Sequence, residues 1–219
     1  MVLLVRIAVA ILVALILAGP APSLDAQPAK SSHESTINLK TSRVYILVDK
    51  KRLGHPHAVE GNLKSARLIL DAKSAAGQIV FDMTTFAADT ESARKFCGLS
   101  GRTDSDTQKK VNDNMLGSDV LDVEKFPTAT FEIESSLSTG KKTSKGRPLY
   151  ELNGEFTLHG TTHPLSVVLE TEAMKDSTRL RGKFRVLQTD FGIKPYTAAL
   201  GTVGVADELT IWGEIDLKQ

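Results

Sequence analysis

The chain has 219 residues, 27 of them basic and 26 acidic, so its formal net charge is +1. This balance gives no electrostatic argument for binding nucleic acid, which requires a basic face. The composition, 41% hydrophobic and 24% charged, is that of a globular protein, and all-β barrels of this length commonly form one domain. Cys97 is the only cysteine, which excludes an intrachain disulfide framework and a metal site built from several cysteines.

The N-terminal segment has the features of a signal peptide. Arg6 precedes an apolar stretch, residues 7–18, that has the length of a signal-peptide core, and Ala26 offers a small residue before a cleavage point. We therefore expect an exported protein, periplasmic or secreted, with an uncleaved membrane anchor as the alternative. The predicted segments are a signal peptide over 1–26, a flexible linker over 27–35 and a single β-barrel domain over 36–219.

From residue 36 onward, polar and apolar residues alternate with a period of two. Ala129, Phe131 and Ile133, for example, alternate with threonine and glutamate. This pattern is typical of antiparallel strands with one wet and one apolar face, and long strands of this kind favour closure into a barrel. The sequence predicts an all-β fold, an eight-stranded antiparallel barrel with strands near 36–49, 57–70, 77–86, 128–137, 148–159, 164–174, 178–189 and 203–217.

Residues 87–126 interrupt the alternation between the third and the fourth strand. Asp104 or Ser105 is placed to cap a helix on which Val111 and Met115 share one face. We expect this helical insertion to close one end of the barrel.

The predicted inward faces carry almost no ionisable groups. An enzyme places convergent polar groups in such a cavity, so the sequence predicts no catalytic residue, no cofactor and no metal, and favours the binding of an apolar ligand. Glycines at strand positions, such as Gly61 and Gly154, either widen the interior or relieve strain at bends. The predicted lining of the interior is Phe81, Met83, Phe131, Ile133, Leu152, Phe156, Leu158, Phe184 and Ile211.

Three motifs follow one another in the sequence: FPTATF at 126–131, LNGEFTLHGTTHP at 152–164 and QTDFGI at 188–193. Together they resemble the YceI-like family of lipid- or polyisoprenoid-binding proteins, and the resemblance covers the chain from residue 36 to its end. It implies an exported, lipocalin-like barrel whose interior holds a polyprenyl chain. The chain departs from the family in a longer segment at 87–117. Each motif also fits a strand start or a turn, and we expect these structural roles rather than ligand contact.

Histidines and the cysteine are the remaining candidates for chemistry. Their spacing would permit His55, His57, His159 and His163 to bind zinc or copper, but exposed histidines in turns at the barrel ends are the expected arrangement. No predicted inward strand position carries a histidine. Cys97 is either a reactive thiol or, as we expect, a small half-buried packing residue.

A basic stripe on one strand face consists of Arg179, Arg181, Lys183 and Arg185 and is either solvated or in contact with anionic head groups.

We expect an exported, non-enzymatic protein that sequesters or carries an apolar, isoprenoid-like lipid, with transient membrane-surface contact and no nucleic-acid partner. One alternative is a periplasmic stress or accessory protein with a filled barrel that acts through protein contacts. Another is a metal-dependent enzyme built on the four turn histidines.

Overall fold

The structure is a computed structural model that describes residues 34–218, so the expected signal peptide and most of the linker lie outside the described residues. The strands are β1 (Glu34–Thr36), β2 (Arg43–Lys50), β3 (His57–Ile69), β4 (Gly77–Ala88), β5 (Thr128–Lys142), β6 (Pro148–Leu158), β7 (Thr161–Ala173), β8 (Ser177–Leu187), β9 (Thr197–Ala198) and β10 (Val203–Lys218). The helices are α1 (Glu91–Phe96) and α2 (Ser105–Leu116), with short 3₁₀ turns at Gln188–Phe191 and Ala199–Gly201.

Eight of these strands close into an antiparallel barrel. Neighbouring strands follow the order β3, β2, β10, β8, β7, β6, β5, β4, and pairing of β3 with β4 completes the ring. β1 and β9 are short additions that pair with β3 and β10. The predicted fold class is confirmed, and the helices lie between the third and the fourth barrel strand as expected.

The first predicted strand, 36–49, is divided in the structure. The carbonyl of Asn38 accepts a hydrogen bond from the amide of Ser42 at 3.0 Å, and this turn separates β1 from β2. Ser42 is fully buried, and its hydroxyl accepts a hydrogen bond from the amide of Asp216 on β10 at 3.1 Å. Both pieces pair with β3, and Glu34 and Ser35, which the sequence assigned to the linker, belong to β1.

The two ends of the barrel carry different connections. The mouth end carries residues 51–56, 89–127, 159–160 and 188–202, and the closed end carries residues 37–42, 70–76, 143–147 and 174–176. The turn between β6 and β7 has φ of 51° at His159 and 76° at Gly160. Two consecutive left-handed residues form the tight hairpin turn whose twist matches that of the flanking strands.

Helix α2 lies at the mouth end and begins where the sequence predicted. The carboxylate of Asp104 accepts a hydrogen bond from a backbone amide of the first turn at 3.0 Å, while Val111 and Met115 pack against the barrel core. The side-chain oxygen of Asn112 accepts the amide hydrogen of Ala88 at 2.8 Å, which fixes α2 to the end of β4. Within the described part of the chain, no helix has the length and apolar character needed to cross a membrane.

Side chains fill the closed half of the barrel. Leu68 and Leu180 are at most 1% exposed, and Ile133, Leu152 and Leu169 are buried beside them. Since these residues come from five different strands, their side chains interdigitate across the barrel axis and leave the closed end solid.

Candidate functional site

A cavity of about 300 Å³ occupies the mouth half of the barrel. Its wall is almost entirely apolar, and α2 contributes Val111 and Met115 to it. Such a lining favours the binding of an apolar ligand and offers few hydrogen-bonding groups to orient a polar ligand. Six of the predicted interior residues line the cavity: Phe81, Met83, Phe156, Leu158, Phe184 and Ile211.

The other three predicted residues, Phe131, Ile133 and Leu152, do not border the cavity. They are inward-facing and 2–5% exposed, but they belong to the packed core. Alternation along a strand predicts which face a side chain is on, and it contains no information on depth along the barrel axis. A ligand-contacting role is therefore kept as a prediction for the six cavity residues.

Phe156 is the centre of an aromatic cluster at the cavity wall. Its ring contacts those of Phe81 and Phe184 edge-to-face at centroid distances of 6.3 Å, and that of Phe191 at 5.6 Å. Edge-to-face pairs stabilise one another beyond their burial, so this part of the wall is preformed.

The strand glycines do not create the cavity. A Cβ on Gly61 would lie 2.3 Å from the ring of Phe86, which occupies the space over this residue. A Cβ on Gly154 would lie 1.9 Å from the carbonyl oxygen of Glu132 on the neighbouring strand. Both glycines therefore permit close approach of a neighbouring group, and neither borders the cavity.

Part of the cavity wall comes from connections that the strand pattern did not assign. Leu53 of the β2–β3 connection and Ile193 and Tyr196 of the segment between β8 and β10 border the cavity. These residues could have been identified as cavity residues from the sequence, because they are apolar within otherwise polar connections. A loop that only contacts solvent is usually polar.

Two histidines at the mouth end, His55 and His57, border the cavity. The expectation that no inward strand position carries a histidine is therefore wrong for His57. His57 is the first residue of β3, and His55 precedes it, with 4.6 Å between their ring centroids. The other pair is engaged elsewhere. Nε2 of His163 donates to the carbonyl of Asp190 at 2.9 Å, and the ring of His159 packs on a phenylalanine at 4.4 Å.

Asp89, at the end of β4, anchors the mouth and is 5% exposed. Its carboxylate accepts hydrogen bonds from Nδ1 of His57 at 2.7 Å, the amide of Ala58 at 3.2 Å, the guanidinium of Arg94 at 3.1 Å and the hydroxyl of Thr103 at 3.0 Å. Burial alone would raise the pKa of Asp89, but the hydrogen bonds, first that of His57, lower it to about 2. An ionised carboxylate only accepts, so Nδ1 of His57 is the donor, and Nε2 is the ring nitrogen that remains for another partner.

His55, His57 and Asp89 each place one potential ligand atom within 4.8 Å of the others, the one such trio found in residues 34–218. Asp89 is already saturated with donors, and the adjacent cation of Arg94 opposes a second positive charge. This leaves two imidazoles as available metal ligands, fewer than the three or four protein ligands of a typical zinc site. The arrangement serves better as a structural anchor than as a metal centre.

The segment around Cys97 packs on the outside of the barrel. Burial raises the pKa of the thiol to about 11, so the reactive thiolate is scarce at neutral pH. The ring of Phe96 stacks on Tyr45 of β2 at 3.9 Å and meets Trp212 of β10 edge-on at 5.9 Å. The structure thus favours a packing role for Cys97 and explains part of the long insertion as a clamp across β2 and β10.

The basic stripe on β8 is matched by residues of β10. Arg179 pairs with Asp216, Arg181 with Glu214, Lys183 lies over the Trp212 ring and Arg185 pairs with Glu208. The stripe is therefore a cross-strand ladder, which stabilises the pairing of two strands.

One protein family matches the sequence over most of its length. The model of the YceI-like domain covers residues 28–217. The chain belongs to the YceI-like family.

Two solved structures share the YceI-like barrel. BcnA from Burkholderia cenocepacia is 20% identical, with 82% of this chain and 98% of that chain covered and a TM-score of 0.53. A polyisoprenoid binding domain from Saccharophagus degradans, implicated in plant cell wall breakdown, is 9% identical, with 84% and 97% covered and a TM-score of 0.56. At these identities the similarity shows a common fold. Among curated proteins, none matches the sequence.

In this YceI-like protein, the sequence motifs shape the mouth end. A Cβ on Gly160 would lie 2.8 Å from the ring of Phe126, and Gly160 and Gly192 both have positive φ. Phe191, 3% exposed, contacts Phe156 and so joins the third motif to the cavity wall. The predicted turns in the second and the third motif, at Gly160 and Gly192, are confirmed.

Proposed function

We propose that this protein binds one apolar lipid of the isoprenoid class inside the barrel. The observation that carries the proposal is the apolar cavity of about 300 Å³ in a barrel whose other half is solid. An empty space of this size costs packing energy, so its retention beside a well-packed core indicates an occupant. Membership of the YceI-like family and the fold shared with a polyisoprenoid binding domain support an isoprenoid as that occupant.

The cavity limits how much of the lipid it encloses. A cavity of about 150 Å³ holds one benzene molecule, so one of about 300 Å³ accommodates a short prenyl segment. The remainder of a longer lipid would extend through the mouth. Each Å² of apolar surface removed from water contributes roughly 25 cal/mol, less the cost of ordering the chain.

A polar edge in the cavity offers a place for a head group. Nδ1 of His57 donates to Asp89, which leaves Nε2 for a ligand, and His55 lies beside it. A hydroxyl would suit this edge, because it can both donate and accept a hydrogen bond. These groups would orient the bound lipid, and we propose binding rather than catalysis as the activity.

We further propose that the protein is exported. Arg6, the apolar stretch 7–18 and Ala26 support a cleaved signal peptide. N-terminal sequencing of the protein purified from its natural host should begin near Gln27. An intact chain starting at Met1 and recovered in the membrane fraction would contradict cleavage and favour an anchor.

The experiment for lipid binding is to extract the purified protein with organic solvent and identify the lipid by mass spectrometry. Ala129 borders the cavity and is 2% exposed, so Ala129→Phe would fill part of the space. Lipid per protein should fall in this variant without loss of stability, because filling a cavity commonly stabilises a fold. Val168→Phe, at a position 47% exposed, is the matched control.

Absence of bound lipid in the unaltered protein, together with no uptake of an added prenyl alcohol, would refute the lipid proposal. It would favour instead an accessory protein that acts through protein contacts. Equal lipid content in Ala129→Phe and in the unaltered protein would place the lipid outside the cavity.

A further inference from the structure

Exposed apolar residues concentrate at the mouth of the barrel. Leu200 is fully exposed, Leu53 is 63% exposed, and Tyr196 and Val203 are each more than a third exposed. The amide of Leu53 donates to the carbonyl of Thr202 at 3.3 Å, so the two connections that carry these residues lie side by side. We call the surface formed by residues 50–54 and 194–204 the mouth rim.

Leu200 is held outward by strained backbone. Ala199 and Leu200 have φ of 48° and 55°, in the left-handed region that side chains with a Cβ rarely adopt, and Gly201 follows at 82°. Leu200 gains no core contact in return for this conformation, since its side chain is fully exposed. Strain without a packing benefit indicates that the exposed position itself serves a purpose.

The mouth rim is also cationic. Lys50, Lys51, Arg52 and Lys194 are exposed, and none of the four forms an ion pair within residues 34–218. The nearby acids are partly engaged: Glu208 pairs with Arg185, and Asp207 accepts from the backbone and hydroxyl of Thr189, while Asp49 stays exposed beside Lys50. Positive charge beside exposed apolar tips complements a surface that combines negative charge with hydrocarbon.

The rim is continuous with the cavity. Leu53, Tyr196 and Val203 border the cavity and are also exposed on the outside. An apolar path therefore leads from the interior to the surface at the mouth rim, where Leu200 projects.

We propose that the mouth rim docks on an anionic lipid bilayer. Leu53 and Leu200 enter the interfacial region, and the four cations contact lipid phosphates. The cavity then opens toward the membrane, so an apolar tail passes between bilayer and barrel without crossing water. The passage of a lipid tail rests on the proposed lipid binding, whereas docking on the bilayer does not. Docking and lipid binding are therefore tested separately.

The test measures binding of the full chain to phosphatidylcholine vesicles with and without phosphatidylglycerol, by co-sedimentation. The rim variants are Leu53→Ser with Leu200→Ser, and Lys51→Glu with Arg52→Glu. Reversal of the two charges should weaken binding to anionic vesicles at least about tenfold, because two basic residues no longer attract the surface. The leucine pair should weaken binding as well, because its apolar side chains no longer enter the interface. The N-terminal segment is common to all variants and cancels in the comparison.

The matched controls change the same residue types away from the mouth. Val168→Ser with Met174→Ser replaces two exposed apolar residues, and Lys141→Glu with Lys142→Glu reverses two exposed charges at the closed end. The controls should bind anionic vesicles like the unaltered protein, and binding should fall at high salt.

Equal vesicle binding by rim and control variants would overturn docking at the rim. Binding to neutral vesicles that survives the charge reversal would overturn the anionic surface as the partner. A change of oligomeric state in the rim variants, measured by analytical ultracentrifugation, would assign the rim to a second copy of the chain. Lipid content measured on the same samples shows separately whether lipid binding fails.

Discussion

The two halves of the barrel are built from the same eight strands and differ in what lies between them. In the closed half, Leu68 and Leu180 interdigitate and short turns join the strands. The mouth half carries the two longest connections, 89–127 and 188–202, and a cavity replaces the packing. Since the same alternation runs through both halves, the difference arises from the connections and from the size of the inward side chains. The closed half supplies stability, and the mouth half supplies a site.

The largest effect is expected from a charge placed in the wall between the halves. Phe156→Asp would bury an unpaired carboxylate within the aromatic cluster, at a cost of roughly 4 kcal/mol or more. Bound lipid should be lost as well. Chemical denaturation and lipid analysis check this, with Val168→Asp on the outer face as the control. Unchanged stability and lipid content would place Phe156 outside the site.

Truncating one residue in each half tests the comparison directly. Leu180→Ala in the closed half should cost about 3 kcal/mol and leave lipid binding intact, because the removed atoms were packed on all sides. Met83→Ala at the cavity should cost only about 1 to 2 kcal/mol, since part of its surface already faces the void, and should change the lipid that is bound. Denaturation midpoints decide the order, and a larger cost for Met83→Ala would show that the mouth half is as solid as the closed half.

Acid should weaken the anchor of the mouth. The pKa of Asp89 is lowered from 3.8 to about 2 by folding. Its contribution of about 2 kcal/mol is therefore present above about pH 4 and is lost as pH falls toward 2. Asp89→Asn should be less stable than the unaltered protein at neutral pH, and the difference should shrink below about pH 4. A difference that stays constant with pH would show that Asp89 does not titrate with folding.

The smallest effect on binding is expected from the histidines. Combined replacement of His55, His57, His159 and His163 by alanine should retain the bound lipid, because burial of the tail supplies the affinity. Some stability should be lost, since Asp89 loses one donor. Lipid, zinc and copper are measured in parallel. Stoichiometric metal that disappears together with an activity would support a metal site, and loss of lipid alone would make His57 part of the binding edge.

The sequence predicted the strands well because period-two alternation is a local property. The cap at Asp104 and the turn at His159 were equally accessible, since both depend on a few neighbouring residues. The depth of a residue along the barrel axis could not be predicted from the sequence. Phe131 and Phe156 therefore looked equivalent, although only Phe156 borders the cavity. His57 was missed although the predicted strand began at this residue, because its partner at the mouth, Asp89 at the end of β4, is far away in the sequence.

Pairing between β2 and β10 has a consequence for how the protein is made. Ile46 lies opposite Ile211, so the ring joins segments that are synthesised far apart in time. The barrel therefore closes only after β10 has left the ribosome, and until then the free edges of β2 and β8 are open to wrong partners. Such long-range pairing makes folding slow, in milliseconds to seconds. Nascent chains that stop before residue 203 thus lack the strand that joins β2 to β8.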